Sequence, residues 1–117
     1  MITLKQVREQ MNSNPDYWQV YLMDFVDEVR RTKNVDNFAE PFTQVGDEKD
    51  ALLASTAEAL CDELGIEAPA WLAEIPACVD PYFVSGLESL KAISIVESPV
   101  RFRLRKIFVL ENFLTRV

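Results

Sequence analysis

Apolar residues return along much of this chain at helical spacing, and the first half shows it best. Leu4, Val7 and Met11 fall at i, i+3, i+7 behind Thr3-Leu4-Lys5-Gln6, which has the form of a capping box. A short amphipathic helix is predicted there, ended by Asn12-Ser13-Asn14. Asn14-Pro15-Asp16 reads as a second start: an N-cap, a proline at the first helical position and an acid near the positive end of the dipole. The helix is expected to run to about Lys33, with Trp18, Tyr21, Leu22, Phe25, Val26 and Val29 on one stripe and Arg30, Arg31 and Lys33 at its negative end. Each large side chain of that stripe contributes about 1.5–3 kcal/mol when buried.

The period lapses from Asn34 to Gly46, where a loop is expected, with room for one helical turn, pinned to the core by Phe38 and Phe42. It resumes over Asp47–Leu64. Acids open this third helix, Leu53, Ala57, Leu60 and Leu64 form its buried line, and Gly65 stops it. Its alanines (Ala51, Ala54, Ala57, Ala59) raise helix propensity and permit close approach of another helix, so this helix is also the candidate face for a homodimer.

Patterns weaken in the second half. Pro69 to Ile75 predicts two helical turns, and 77–86 is irregular, containing Pro81-Tyr82-Phe83-Val84. Ser85–Glu97 is expected to be helical with Leu87, Leu90 and Ile93 inward and Val96 extending that line. Ser98-Pro99 repeats the cap-plus-proline start, so a helix is preferred over 99–106, with Val100, Leu104, Ile107 and Phe108 on one face. The rival is a strand: Arg101-Phe102-Arg103-Leu104-Arg105 alternates at period two and Ile107–Leu110 has high β propensity, but no partner strand shows elsewhere. A terminal turn or two is expected over Glu111–Arg116. The expected fold is all-α, a single compact domain of five to seven helices over residues 1–117, with α+β and a short strand at 101–110 as the alternative.

Composition narrows the function. An apolar fraction of 49% suits a globular core, and no run approaches the roughly eighteen apolar residues of a membrane span, so a cytoplasmic protein without a membrane association is expected. Histidine is absent, which removes the usual base for a Ser or Cys nucleophile. The three scattered glycines (Gly46, Gly65, Gly86) cannot build a phosphate-cradling loop. Cys61 and Cys78 lack zinc-ligand spacing and read as reduced structural thiols. Glu58 and Asp62, and the cluster Asp24, Asp27 and Glu28, read as solvated helix faces rather than as a metal site or an acid/base pair. Tyr17, Trp18, Tyr21 and Phe25 read as core packing rather than a stacking platform, with Tyr17 at the stripe's edge. No catalytic residue, cofactor or metal is expected.

The net charge of −7 is uneven: residues 1–96 carry 7 basic and 17 acidic side chains, residues 97–117 carry 5 and 2. Four of the positive charges, Arg101, Arg103, Arg105 and Lys106, fall within six positions. They are the candidate partner-binding residues, with Tyr82 and Phe83 as neighbours, since arginine forks suit carboxylate and phosphate. The competing reading is internal, with the same arginines neutralising the chain's own acids. A protein partner is expected. A nucleic-acid-binding regulator using the same patch is the alternative, disfavoured because the acidic body repels phosphate, and an unrecognised enzyme is the second alternative.

Glu97-Ser98-Pro99-Val100-Arg101-Phe102-Arg103-Leu104-Arg105-Lys106-Ile107-Phe108-Val109, with Leu114 and Arg116 beyond it, is similar to the C-terminal signature of a group of uncharacterised bacterial proteins. In that group an acidic or small residue and a proline precede a Phe-Arg-x-Arg-Asn-hydrophobic run. Pro69-Ala70-Trp71 and Asp80-Pro81-Tyr82-Phe83 resemble its proline–tryptophan and proline–aromatic pairs, so the resemblance spans 69–117. It implies a regulatory or antitoxin-like role, some members carrying an N-terminal helix-turn-helix. Here Lys106 stands where asparagine is usual, and residues 1–65 show no helix-turn-helix with a basic recognition helix.

Overall fold

The structure, a computed structural model, describes residues 2–114. The capping box forms: Thr3 Oγ1 accepts from the Gln6 N–H (3.2 Å), and Gln6 Oε1 accepts from the Thr3 N–H (3.0 Å). It opens α1 (Leu4–Ser13), which buries Leu4, Val7 and Met11. The second start is less regular than expected. The Asn14 side chain makes no cap, Pro15–Tyr17 forms a 3₁₀ turn, and α2 occupies Trp18–Thr32. Lys33 takes a left-handed φ of +52° and ends it. Leu22, Phe25, Val26 and Val29 are buried, Trp18 and Tyr21 half-buried, and Tyr17 exposed.

A 3₁₀ turn at Val35–Phe38 interrupts the following loop. Phe38 and Phe42 are both buried, packed edge-on against Phe25 and Trp71 respectively. The Trp71 indole N–H donates to the Phe38 carbonyl (2.9 Å), tying this loop to the next segment.

Helix α3 (Glu48–Leu64) runs through the interior. Asp47 caps it and Gly65, at φ +68°, terminates it. Every residue from Ala51 to Glu58 is buried, because the helix packs against α1 and α2 and against a C-terminal helix described below. Ala51, Ala54 and Ala57 are therefore internal and Ala59 half-buried, so the alanines leave little surface for the possible homodimer through residues 47–64. Leu53, Ala57 and Leu60 are buried as expected, while Leu64 is half-buried. The N-terminal end of α3 is fixed electrostatically. Asp50 accepts from the Val45 and Gly46 N–H groups and from Arg8 Nε (2.9 Å), and Arg8 Nη2 also reaches Asp47 (2.6 Å).

Ala70–Glu74 is a 3₁₀ helix rather than α-helical turns, and it buries Leu72. Beyond it lie β1 (Tyr82–Phe83), a 3₁₀ turn at Glu88–Leu90, α4 (Lys91–Glu97), α5 (Val100–Leu104) and β2 (Ile107–Phe108). The two strands pair in parallel, Tyr82 opposite Ile107 and Phe83 opposite Phe108. The helix expected over 99–106 thus covers 100–104, and the strand alternative for 101–110 holds at 107–108. Lys106, at φ +61°, makes the change of direction. Because α5 is so short, Phe102 and Ile107 are buried, whereas Val100 and Leu104 are exposed rather than inward. Residues 111–114 form a turn; the rest of the turn expected over 111–116 lies outside the described residues.

Two apolar clusters, one around α1–α3 and one around Phe102, Ile107 and Val109, both touch Trp18, Phe113 and Leu114 and so make one continuous core. The radius of gyration, 13.3 Å, is that of a single domain of this length. The protein is a mostly α single domain of five α-helices with one two-residue strand pair among the described residues. Arg8→Met leaves Asp50 buried without its cation, so a loss of about 3 kcal/mol is expected in urea unfolding. A loss below about 1 kcal/mol, the worth of an exposed pair, would show that the link between α1 and α3 does not depend on this charge.

Candidate functional site

The segment 96–108 carries the residues singled out by charge, and the fold separates them into two groups. Arg105 points inward and is only 7% exposed. Its Nη1 donates to Glu58 of α3, its Nη2 to the Leu72 carbonyl (2.6 Å) and its Nε to the Ile75 carbonyl (3.1 Å). Arg101 forks onto Asp62 (2.9 and 3.1 Å) and reaches Glu58 at 3.5 Å. For these two the internal reading holds, and Arg105 has no surface to offer a partner. Glu58 is buried as well, not on a solvated face as its place beside the stripe implied. Asp62 does sit at the surface, where the hydrogen bond and charge of Arg101 hold its carboxyl below the usual range.

Arg103 and Lys106 point the other way. Arg103 folds back over the end of α4, donating to the carbonyls of Ser98 and Val96 (3.0 Å each). Lys106 Nζ donates to the Val79 carbonyl (3.3 Å). Both side chains are exposed, and among the described residues neither meets a carboxylate. Tyr82 and Phe83 join this segment through the strand pair, but their rings are engaged. Lys49 donates to Tyr82 Oη (2.9 Å) with its ammonium 4.3 Å from the centre of the Trp18 ring, and Phe83 stacks on Phe108 at 5.1 Å.

A second feature of this region escaped the sequence reading. Leu87, Ile93 and Val96, expected inward, are 58%, 46% and 74% exposed, while Ser94 and Ser98 are buried. Ser98 Oγ donates to the Ser94 carbonyl (2.5 Å) and accepts from the Val109 N–H (2.8 Å). These polar contacts suspend α4 from the start of the last segment, and they turn its aliphatic side chains outward. The signal present in the sequence was the serine pair at i, i+4, which fixes one face of a helix whichever way that face points. Exposed Ile93, Ile95, Val96, Val100 and Leu104 all lie within twelve residues.

Burial, with help from the Asp62 and Glu58 carboxylates, pushes the Cys61 thiol up to about 11, and burial raises that of Cys78 as well, so neither is a thiolate at neutral pH. No group of three or more Cys, Asp or Glu among the described residues is placed to hold a metal ion. An open cleft of about 630 Å³ lies between residues 44–51 and 76–82, but its Asp47 and Asp50 carboxylates already hold Arg8 and nearby N–H groups. Among the described residues no helix is long and apolar enough to cross a membrane. No protein-family model, curated protein or solved structure matches the chain.

Two consequences can be measured. Arg105→Met leaves Glu58 buried with only the longer contact to Arg101, so it should cost about 3–5 kcal/mol in urea unfolding. Arg103→Met should cost about 1 kcal/mol or less, because only exposed backbone contacts are lost; similar losses for the two would contradict the division into inward and outward groups. The second concerns pH. Folding lowers the Asp62 pKa from its ordinary 3.8, so the Arg101 pair stabilises above that value and is lost as pH falls through the folded value. Asp62→Asn should remove part of the loss of stability below about pH 4, in a pH series of urea midpoints.

Proposed function

We propose that this chain is a non-catalytic interaction module, regulatory in character, which binds a partner protein through the outward side of its C-terminal segment. The observation that carries this reading is the state of Arg103 and Lys106. Both are exposed on a chain of net charge −7, yet among the described residues both are met by neutral backbone carbonyls and by no carboxylate. A cationic spot on an acidic body acts at short range, within a Debye length of roughly 8 Å, and suits a partner whose carboxylates can be brought that close. The resemblance of residues 69–117 to a group with an antitoxin-like context supports a regulatory role.

The nucleic-acid reading draws less support. With Arg101 and Arg105 held by the chain's own carboxylates, Arg103 and Lys106 are what the run of four offers to phosphate, a thin footprint. The enzyme reading is left with neither a histidine nor an activated thiol.

The test is a double reversal, Arg103→Glu with Lys106→Glu, and comparison of what co-purifies with it and with the unaltered chain as salt is raised. Melting should stay within a few degrees, since both side chains are at the surface. At physiological salt a bound protein should be retained by the unaltered chain and lost by the variant. Release of nucleic acid as salt rises would favour the other reading. An identical set of bound proteins for both chains would end the proposal.

A further inference from the structure

Helix α4 and the segment after β2 form an open groove of about 560 Å³. Its apolar lining comes from Leu90, Ile93 and Leu110, and its polar lining from Glu97, Glu111 and Asn112. Ile93 and Glu97 stand at i, i+4 and so share one face of α4, while Leu90 is the residue before its first turn. The opposite wall is held by the end of α4. Ser98 Oγ accepts from the Val109 N–H (2.8 Å) and Glu97 Oε1 accepts from the Glu111 N–H (3.1 Å), which fixes the backbone on either side of Leu110. Leu90 and Leu110 are half-buried and Ile93 is 46% exposed, so the apolar lining is partly open to solvent. Among the described residues neither Glu97 nor Glu111 forms an ion pair.

From this we infer that the groove takes a short segment of a partner protein in which an aliphatic side chain stands next to lysine or arginine. The occupant's charge follows from the two carboxylates, which line the same hollow as the apolar side chains and repel an acidic peptide or a phosphate. Its size follows from the volume, which lies within the roughly 300–1,000 Å³ of a small-ligand site. That is enough for one or two side chains of a partner and too little for the flank of a whole helix. A free small molecule fits less well, because small-ligand sites bury most of the ligand's surface and this groove lies open along its length. A second copy of this chain fits less well too, since two bodies of net charge −7 repel each other. The inference goes beyond the cationic surface proposed above and uses neither Arg103 nor Lys106.

The experiment titrates the full-length, ¹⁵N-labelled chain with two synthetic peptides of roughly eight residues. Both carry a central pair of leucines, flanked by lysine in one and by glutamate in the other. The lysine peptide should shift the resonances of Ile93, Glu97, Leu110 and Glu111 and bind at least about fivefold tighter than the glutamate peptide. Glu97→Gln with Glu111→Gln should abolish that preference with unchanged melting, because the amide oxygen at 97 can still accept from the backbone N–H at 111. Ile93→Ser should weaken the lysine peptide by about fivefold or more. Equal binding of both peptides, shifts confined to residues outside the groove, a preference that survives the paired glutamine changes, or self-association that Ile93→Ser abolishes would each overturn the inference. Arg103→Glu with Lys106→Glu should leave the lysine peptide bound at least as tightly, and loss of binding there would overturn it too. The reading of Arg103 and Lys106 as a docking surface stands or falls separately, on what their reversal releases.

Discussion

Arg105 and Glu58 meet inside the protein, and the position of the last quarter of the chain depends on that meeting. Removing both charges from water costs several kcal/mol per ion, which is offset only where geometry and further hydrogen bonds are good. Here the guanidinium also donates to the carbonyls of Leu72 and Ile75, so one side chain binds α3 and the 70–75 turn to the end of α5. With Arg105 anchored, Phe102 and Ile107 enter the second apolar cluster and β2 comes into register with β1. Asp62, one turn beyond Glu58 on α3, is then within reach of Arg101.

That anchor divides a run of four cations by direction. Arg101 and Arg105 neutralise acids of α3, while Arg103 and Lys106, which lie between and after them, are left facing solvent over neutral carbonyls. The same geometry explains α4. It is tied to the last segment by the Ser98 hydroxyl, which donates to the Ser94 carbonyl and accepts from the Val109 N–H. A helix held by its polar side must show its aliphatic side to whatever lies outside. Arg103 consequently lies over the end of α4, at the Val96 carbonyl, next to aliphatic side chains that face solvent.

Legibility differed sharply between the two halves of the chain. The first and third helices begin and end within about two residues of the positions their caps and stripes marked, since a capping box, an Asp N-cap and a terminal glycine act within one or two turns. Phe38 and Phe42 likewise declared themselves as anchors in a stretch without period. Beyond residue 84 the elements shrink to seven, five and two residues, too few for a stripe to establish which face is apolar. Leu87, Ile93 and Val96 consequently face solvent although their spacing points inward. The strand at 107–108 had evident β propensity, but its partner, Tyr82–Phe83, is too short to announce itself.

Local chemistry written into neighbouring residues determined that this chain would be mostly helical, where its first three helices lie, and that its charge is split between an acidic body and a basic end. Tertiary structure alone decided which arginines are internal and which are free, that Glu58 is buried, and that α4 shows its aliphatic side to solvent. The reason is range. Caps and helical periods act over a few residues, whereas Arg105 finds its carboxylate 47 positions away, and only the folded arrangement of α3 and the 70–75 turn places that partner.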